Sequence, residues 1–240
     1  MSVSEAATSL SSVHPDRKWP SLSEEELALM ELRLDPWYEK IPEELIPHFI
    51  REAIRMGKEA ARSHAGDWPL VKLVNTIISR NVRVRFHDRH PTEPHIRAQY
   101  TRKPPTIDVY RSSIDELRAF FSTFADGIRD EDLIRLHLFH EWFHHLEETS
   151  LGRTDLRLPR VPVGKRGPLT IRRPLHRTRE IAAHAFTRQA MNLPWSPLLI
   201  DRLISLTRKG KSTSEIRESF QEIRGAAKRI LHPDPPAPVE

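Results

Sequence analysis

The chain has 240 residues, enough for one well-packed domain with an appendage. It contains no cysteine, which excludes disulfides and thiolate metal ligands, so a bound metal must use His, Asp or Glu. The formal net charge of +5 permits contact with nucleic acid or acidic partners without requiring either.

The first third of the chain predicts a flexible end followed by helices. Residues 1–20 mix serine, alanine and isolated charges without periodicity, and we expect them to be disordered. Over residues 21–80 the pattern is helical. The first helix starts at Ser21 or Ser23, because each is followed three residues later by a glutamate, as in a capping box. We expect this region to be a helical layer that supports the core.

The pattern then changes from helix to strand. Three short segments, separated by turn-forming residues, have the composition and alternation of strands: 82–86, 96–101 and 106–110. They predict a small antiparallel sheet, followed by helices of which one is capped by Asp130 or Asp132. A mostly helical chain with one small sheet belongs to the α+β class.

A basic stretch separates that helix from the next ones. Residues 151–179 are rich in arginine and proline and predict a long irregular loop, for which a solvated surface is the simplest interpretation. A helix then runs to about Met191, and a helical pair is expected over 196–231. Residues 232–240 are rich in proline and predict a disordered tail.

The segment His140-Glu141-Trp142-Phe143-His144 has the HExxH pattern inside a helical stretch. Residues four apart lie one turn apart on one helix face, so both imidazoles can bind one metal ion. Glu141 flanks that ion, where a carboxylate can take a proton from metal-bound water. The surrounding helix is apolar on most faces and should be buried, and buried histidines are costly unless paired or metal-bound. The expected ion is zinc, with a third protein ligand and an open water position.

The best candidate for the third ligand is Glu180, which must come from a second helix. The alanines that follow it would permit close helix packing. His184, four residues later on the same face, is the rival ligand; alternatively, it orients Glu180 or donates a hydrogen bond to the reacting carbonyl. Glu148 could hydrogen-bond the free ring nitrogen of His144, although a solvated surface role is the simpler expectation.

These residues resemble the ImmA/IrrE-type zinc metallopeptidases, a group within the gluzincins. The resemblance covers roughly residues 80–232 and rests on the HExxH motif, on Glu180 with the segment up to Leu193-Pro194, and on the final helix. The chain resembles a divergent member, because it departs from the family's pattern at three positions: Phe143 replaces the usual Gly, Ala182 a common Glu, and His184 the usual Asn.

The resemblance implies a mostly helical zincin-like core over residues 81–195, with a small antiparallel sheet preceding the HExxH helix. It implies zinc as the cofactor, with His140, His144 and Glu180 as its ligands and Glu141 as the catalytic base. It also implies a metalloendopeptidase whose substrate is a protein, often a DNA-binding transcriptional repressor.

We therefore expect a zinc-dependent metallopeptidase that acts on a protein or peptide substrate, with no requirement for nucleic acid. The alternative is a non-enzymatic zinc-bound regulatory scaffold that binds a protein or DNA partner through the basic loop and the last two helices. Glu141 favours the enzyme, since a scaffold does not need it. No apolar run approaches the ~20 residues of a membrane span, and the N-terminus lacks the apolar region of a secretory signal, so we expect no membrane contact and a cytoplasmic location.

Overall fold

The computed structural model describes residues 8–93 and 96–232, so the predicted disorder of residues 1–7 and 233–240 lies outside the described residues. The described chain has the expected α+β class, with helices predominating. None of its helices combines the length and the apolar character needed to cross a membrane. The helices are α1 (Glu24–Leu32), α2 (Ile46–His64), α3 (Leu70–Ser79), α4 (Arg111–Ser122), α5 (Asp130–Leu146), α6 (Thr154–Arg157), α7 (Arg177–Ala190), α8 (Pro197–Arg208) and α9 (Thr213–Leu231).

The sheet ahead of α5 is mixed, not antiparallel as predicted. Its strands β1 (Arg83–His87), β2 (Ala98–Arg102) and β3 (Pro105–Tyr110) lie in the order β1–β3–β2. The two-residue connection between β2 and β3 joins them as an antiparallel hairpin. The longer segment between β1 and β2 carries the chain across the sheet, so β1 runs parallel to β3. Strands β1 and β2 are therefore the two edges.

The expected disorder of residues 1–20 is wrong for residues 8–20. Two short 3₁₀ turns form there, and Leu10 and Val13 are buried in the core. The backbone N–H of Leu10 donates to the buried carboxylate of Asp132 in α5, and the indole of Trp195 donates to the carbonyl of Val13. These contacts order the segment because a buried carboxylate needs hydrogen-bond donors.

One predicted helix start, at Ser23, is confirmed, and the predicted cap of α5 is wrong. The hydroxyl of Ser23 accepts from the backbone of Glu26, whose carboxylate accepts from the backbone of Ser23, so the predicted capping box is confirmed. At α5, neither Asp130 nor Asp132 is the cap residue, because the helix begins at Asp130 itself. Asp132 instead binds the N-terminal segment.

The basic segment 151–179 is not the irregular loop that its composition predicted. It contains α6 and a hairpin of β4 (Val161–Arg166) and β5 (Leu169–Arg173), paired antiparallel. Gly167, at φ 60°, supplies the left-handed conformation that the tight turn requires. Val161 is buried, whereas every residue of β5 is exposed.

Helix α7 packs on both α2 and α5, and this packing positions the site. A Cβ built on Gly57 of α2 would lie 2.1 Å from the carbonyl oxygen of Ala182, so only glycine permits this approach. The alanines of α7 therefore make their closest approach to α2. On the α5 side, Phe186 packs on Phe143, with 5.2 Å between the ring centroids. These contacts hold α7 between α2 and α5.

Candidate metal centre

Helix α5 carries three residues of the site. His140 and His144 lie one turn apart, and their Nε2 atoms are 3.3 Å from each other. Both side chains are largely buried, with exposures of 15% and 12%. Trp142 and Phe143, which lie between them in sequence, are buried in the core. The helix therefore presents the two imidazoles together on its cleft side.

Helix α7 brings Glu180, in its first turn, to these two histidines. One carboxylate oxygen, Oε2, lies 3.3 Å from Nε2 of His140, and the other, Oε1, lies 3.5 Å from Nε2 of His144. Two ligands bound about 2.0–2.1 Å from a tetrahedral ion are roughly 3.3–3.4 Å apart. The imidazole nitrogens therefore lie at about this separation from each other, and the carboxylate of Glu180 reaches each of them with a different oxygen atom.

His184, one turn after Glu180 on α7, also reaches this place. Single ligand atoms of His140, Glu180 and His184 all lie within 4.8 Å of one another, so this group can also hold a metal ion. Burial, together with the nearby His140, lowers the pKa of His184 to about 3, so its ring is neutral, as a ligand must be. His140 and Glu180 belong to both possible ligand sets.

Glu141 lies beside the histidines at the edge of the sheet. Its Oε2 accepts a hydrogen bond of 2.8 Å from the backbone N–H of Tyr100 in β2. This contact holds the carboxylate in the cleft between α5 and β2. A carboxylate so placed, next to two histidines that could hold a metal ion, can act as a proton acceptor.

A buried carboxylate that the sequence analysis did not select supports His144. Glu147, with no side-chain exposure, lies 3.2 Å from Nδ1 of His144 and also accepts from Arg179 and the backbone of Thr154, each at 2.8 Å. The proposed partner, Glu148, instead pairs with Arg179 and Arg102. Glu147 lies three residues after His144, a helical spacing that could have indicated the contact.

The electrostatics of the group favour bound positive charge. Burial opposes the charged form of His144, but its hydrogen bonds to Glu147 and Glu180 outweigh burial and raise the pKa of His144 to about 10. Burial likewise opposes the charged form of Glu180, yet hydrogen bonds with both histidines lower the pKa of this carboxyl well below its usual range. A cation is therefore stabilised where the three side chains meet.

Two cavities open beside the three side chains. The first, the α8 cavity, has a volume of about 200 Å³ and lies between α5, α7 and α8. The second, the β2 cavity, has a volume of about 400 Å³ and lies between β2 and α5. His140, Glu141 and Glu180 line both. The candidate metal centre is therefore at the junction of two parts of one cleft.

A comparison of the chain with protein-family models, with curated proteins and with solved structures gave no match. The side chains around His140, Glu141, His144 and Glu180 are thus the basis on which a function can be proposed.

Proposed function

We propose that this chain is a zinc-dependent metallopeptidase that hydrolyses a peptide bond in a protein substrate. One observation carries the proposal: the Nε2 atoms of His140 and His144 lie 3.3 Å apart, and the carboxylate of Glu180 lies within 3.5 Å of each, next to the carboxylate of Glu141. Two imidazoles with one carboxylate are a common donor set of catalytic zinc sites, which keep an open position for water.

Zinc bound to these ligands would polarise the scissile carbonyl and lower the pKa of its bound water to about 7. Glu141 would act as the general base, taking a proton from that water and passing it to the leaving amine. Glu147 holds the ring of His144 through Nδ1, which fixes Nε2 as the ligand atom. Arg179 and the backbone of Thr154 keep Glu147 in place.

A peptide substrate fits the cleft better than a small amide does. Strand β2 is an edge of the sheet, and Gln99 and Tyr100 line the β2 cavity together with Glu141. An extended peptide can add to such an edge by backbone hydrogen bonds, which would place one of its carbonyl groups near the metal centre. A small amide would leave this edge unused.

The test is a digestion of an unbiased peptide library by the native protein and by Glu141→Gln. The substitution keeps shape and ligands but removes the base, so hydrolysis should fall by roughly 10²–10⁴ while zinc content stays the same. Glu131→Gln, at an exposed position of the same helix, is the matched control and should retain full activity. Equal turnover by the native protein and Glu141→Gln would refute the assigned base.

The second candidate function, a zinc-bound regulatory scaffold, is favoured by the β4–β5 hairpin. Among the described residues, none of its four basic side chains forms an ion pair: Lys165, Arg166, Arg172 and Arg173. Unpaired exposed cations can attract an acidic partner. If neither the native protein nor Glu141→Gln cleaves any peptide while both retain zinc, the scaffold is the better explanation.

A further inference from the structure

The α8 cavity has polar walls that the proposed chemistry does not use. Leu117, Leu136 and Ile200 supply apolar surface, and His140 and Glu141 lie at its border with the metal centre. The polar side chains are Arg97, before β2; His137, on α5; His184 and Thr187, on α7; and Asp201, on α8. These residues are far apart in sequence and meet only in the folded chain.

Three nitrogen atoms in this cavity are buried and have no hydrogen-bond partner in the described chain: Nε of Arg97, Nε2 of His137 and Nδ1 of His184. A buried polar atom without a partner destabilises the fold. A ligand group that supplies hydrogen-bond partners to these atoms would remove this penalty. Their concentration beside the metal centre indicates a polar ligand group.

The cavity carries no excess of positive charge, because the carboxylates of Glu141 and Glu180 also line it. Arg97 forms an ion pair with Asp201, so their charges cancel. Burial, reinforced by the positive charge of Arg97, lowers the pKa of His137 to about 3, so that ring is uncharged. A carboxylate ligand group would be repelled by the carboxylates of Glu141 and Glu180, and an ammonium group has no acceptor for the Nε–H of Arg97. An apolar group would leave the three nitrogen atoms unpaired.

A carboxamide satisfies both conditions. Its carbonyl can accept from Nε–H of Arg97, and its amide protons can donate to the unpaired imidazole nitrogen of His137. The volume of about 200 Å³ is roughly six times the share of one liquid water molecule, so several heavy atoms fit.

We propose that the α8 cavity binds the substrate side chain adjacent to the scissile bond and selects asparagine or glutamine, with Arg97 and His137 as the specificity-determining residues. Asp201 acts through Arg97 as a positioning residue. This inference rests on the proposed function, because it uses the metal centre to locate the scissile bond at the border of the cavity.

The test uses hydroxamates, which anchor on a zinc ion and reach the cavity with their side chain. Peptide hydroxamates with a glutamine, leucine or glutamate side chain are titrated calorimetrically into the zinc-loaded full chain, and acetohydroxamate measures the anchor alone. We expect the glutamine compound to bind at least about tenfold more tightly than the other two, because only it pairs the buried nitrogen atoms without adding charge.

Two variants sharpen the test. His137→Leu should abolish the preference for glutamine over leucine, whereas the control His48→Leu, at an exposed position of α2, should keep it. Asp201→Asn keeps the shape but leaves Arg97 uncompensated, so it should shift the preference toward the glutamate compound by about tenfold. Asp201→Asn should increase the relative affinity for the glutamate compound, so it still tests the inference if His137→Leu does not fold.

Equal affinities of the three peptide hydroxamates, with acetohydroxamate bound, would overturn the selectivity inference and leave the proposed function standing. If the leucine compound bound most tightly, the inference would also be wrong. If acetohydroxamate did not bind at all, the metal centre itself would be wrong, and both proposals would fall together.

Discussion

The structure makes a specific prediction for Glu147→Gln. The native carboxylate accepts from His144, Arg179 and the backbone of Thr154, and its side chain has no exposure. Glutamine keeps one oxygen acceptor, so at least one of these donors loses its partner. Since a buried unpaired donor costs about 1–3 kcal/mol, the free energy of unfolding of the metal-free protein should fall by about that amount. Zinc affinity should fall 10–100-fold, as when a metal-bound histidine loses its carboxylate partner.

Urea denaturation measures the first effect, and titration against a competing chelator measures the second. Glu148→Gln is the matched control, because Glu148 pairs with Arg179 and Arg102 and makes no hydrogen bond to His144. It should leave zinc affinity nearly unchanged. The reasoning is refuted if Glu147→Gln binds zinc as tightly as the native protein, or if Glu148→Gln alone weakens binding.

Three further predictions follow from the same geometry. Glu180→Ala should abolish tight zinc binding, because both ligand sets contain Glu180, and titration against a chelator measures this loss. His184→Ala should mainly slow hydrolysis, by 10–100-fold, which peptide cleavage measures. Gly57→Ala should lower the free energy of unfolding by about 1–3 kcal/mol, because the added Cβ would collide with Ala182 and displace α7. Zinc binding should weaken as well, and denaturation and metal titration measure the two effects. The raised pKa of His144, about 10 against 6.5, contributes stability to the metal-free protein that is complete below pH 6.5 and is lost as the pH rises through 10. Between pH 6.5 and 10 a proton on His144 competes with zinc, so zinc affinity should increase by about tenfold for each unit of pH.

The part of the site that depends on local helix geometry could be predicted from the sequence. The spacing of His140 and His144 places both imidazoles on one face of any helix, and the apolar surroundings indicate burial. Glu180 meets the two histidines only because a second helix packs closely on α5. The small residues of α7 indicate close packing, but they do not identify the helix on which α7 packs. The sequence does not show that Gly57 of α2 determines how closely α7 can approach.

What the sequence could not predict depends on contacts between distant segments. The choice of Glu147 over Glu148 depends on where α5 ends and on Arg179 and Thr154, which approach only after folding. The order in residues 8–20 likewise depends on Asp132. The composition of the segment between β1 and β2 does not determine whether β1 runs parallel or antiparallel to β3. The α8 cavity is assembled from α4, α5, α7, α8 and the segment before β2, so no local pattern indicates it.

The central claim is that one zinc ion is bound between α5 and α7 by His140, His144 and Glu180. Its most direct test is the zinc content of dialysed protein, measured by elemental analysis for the native chain, His140→Ala, His144→Ala and the exposed control His48→Ala. The account predicts about one zinc per chain in the native protein and the control, and little or none in the other two. Stoichiometric zinc in both His140→Ala and His144→Ala would contradict it.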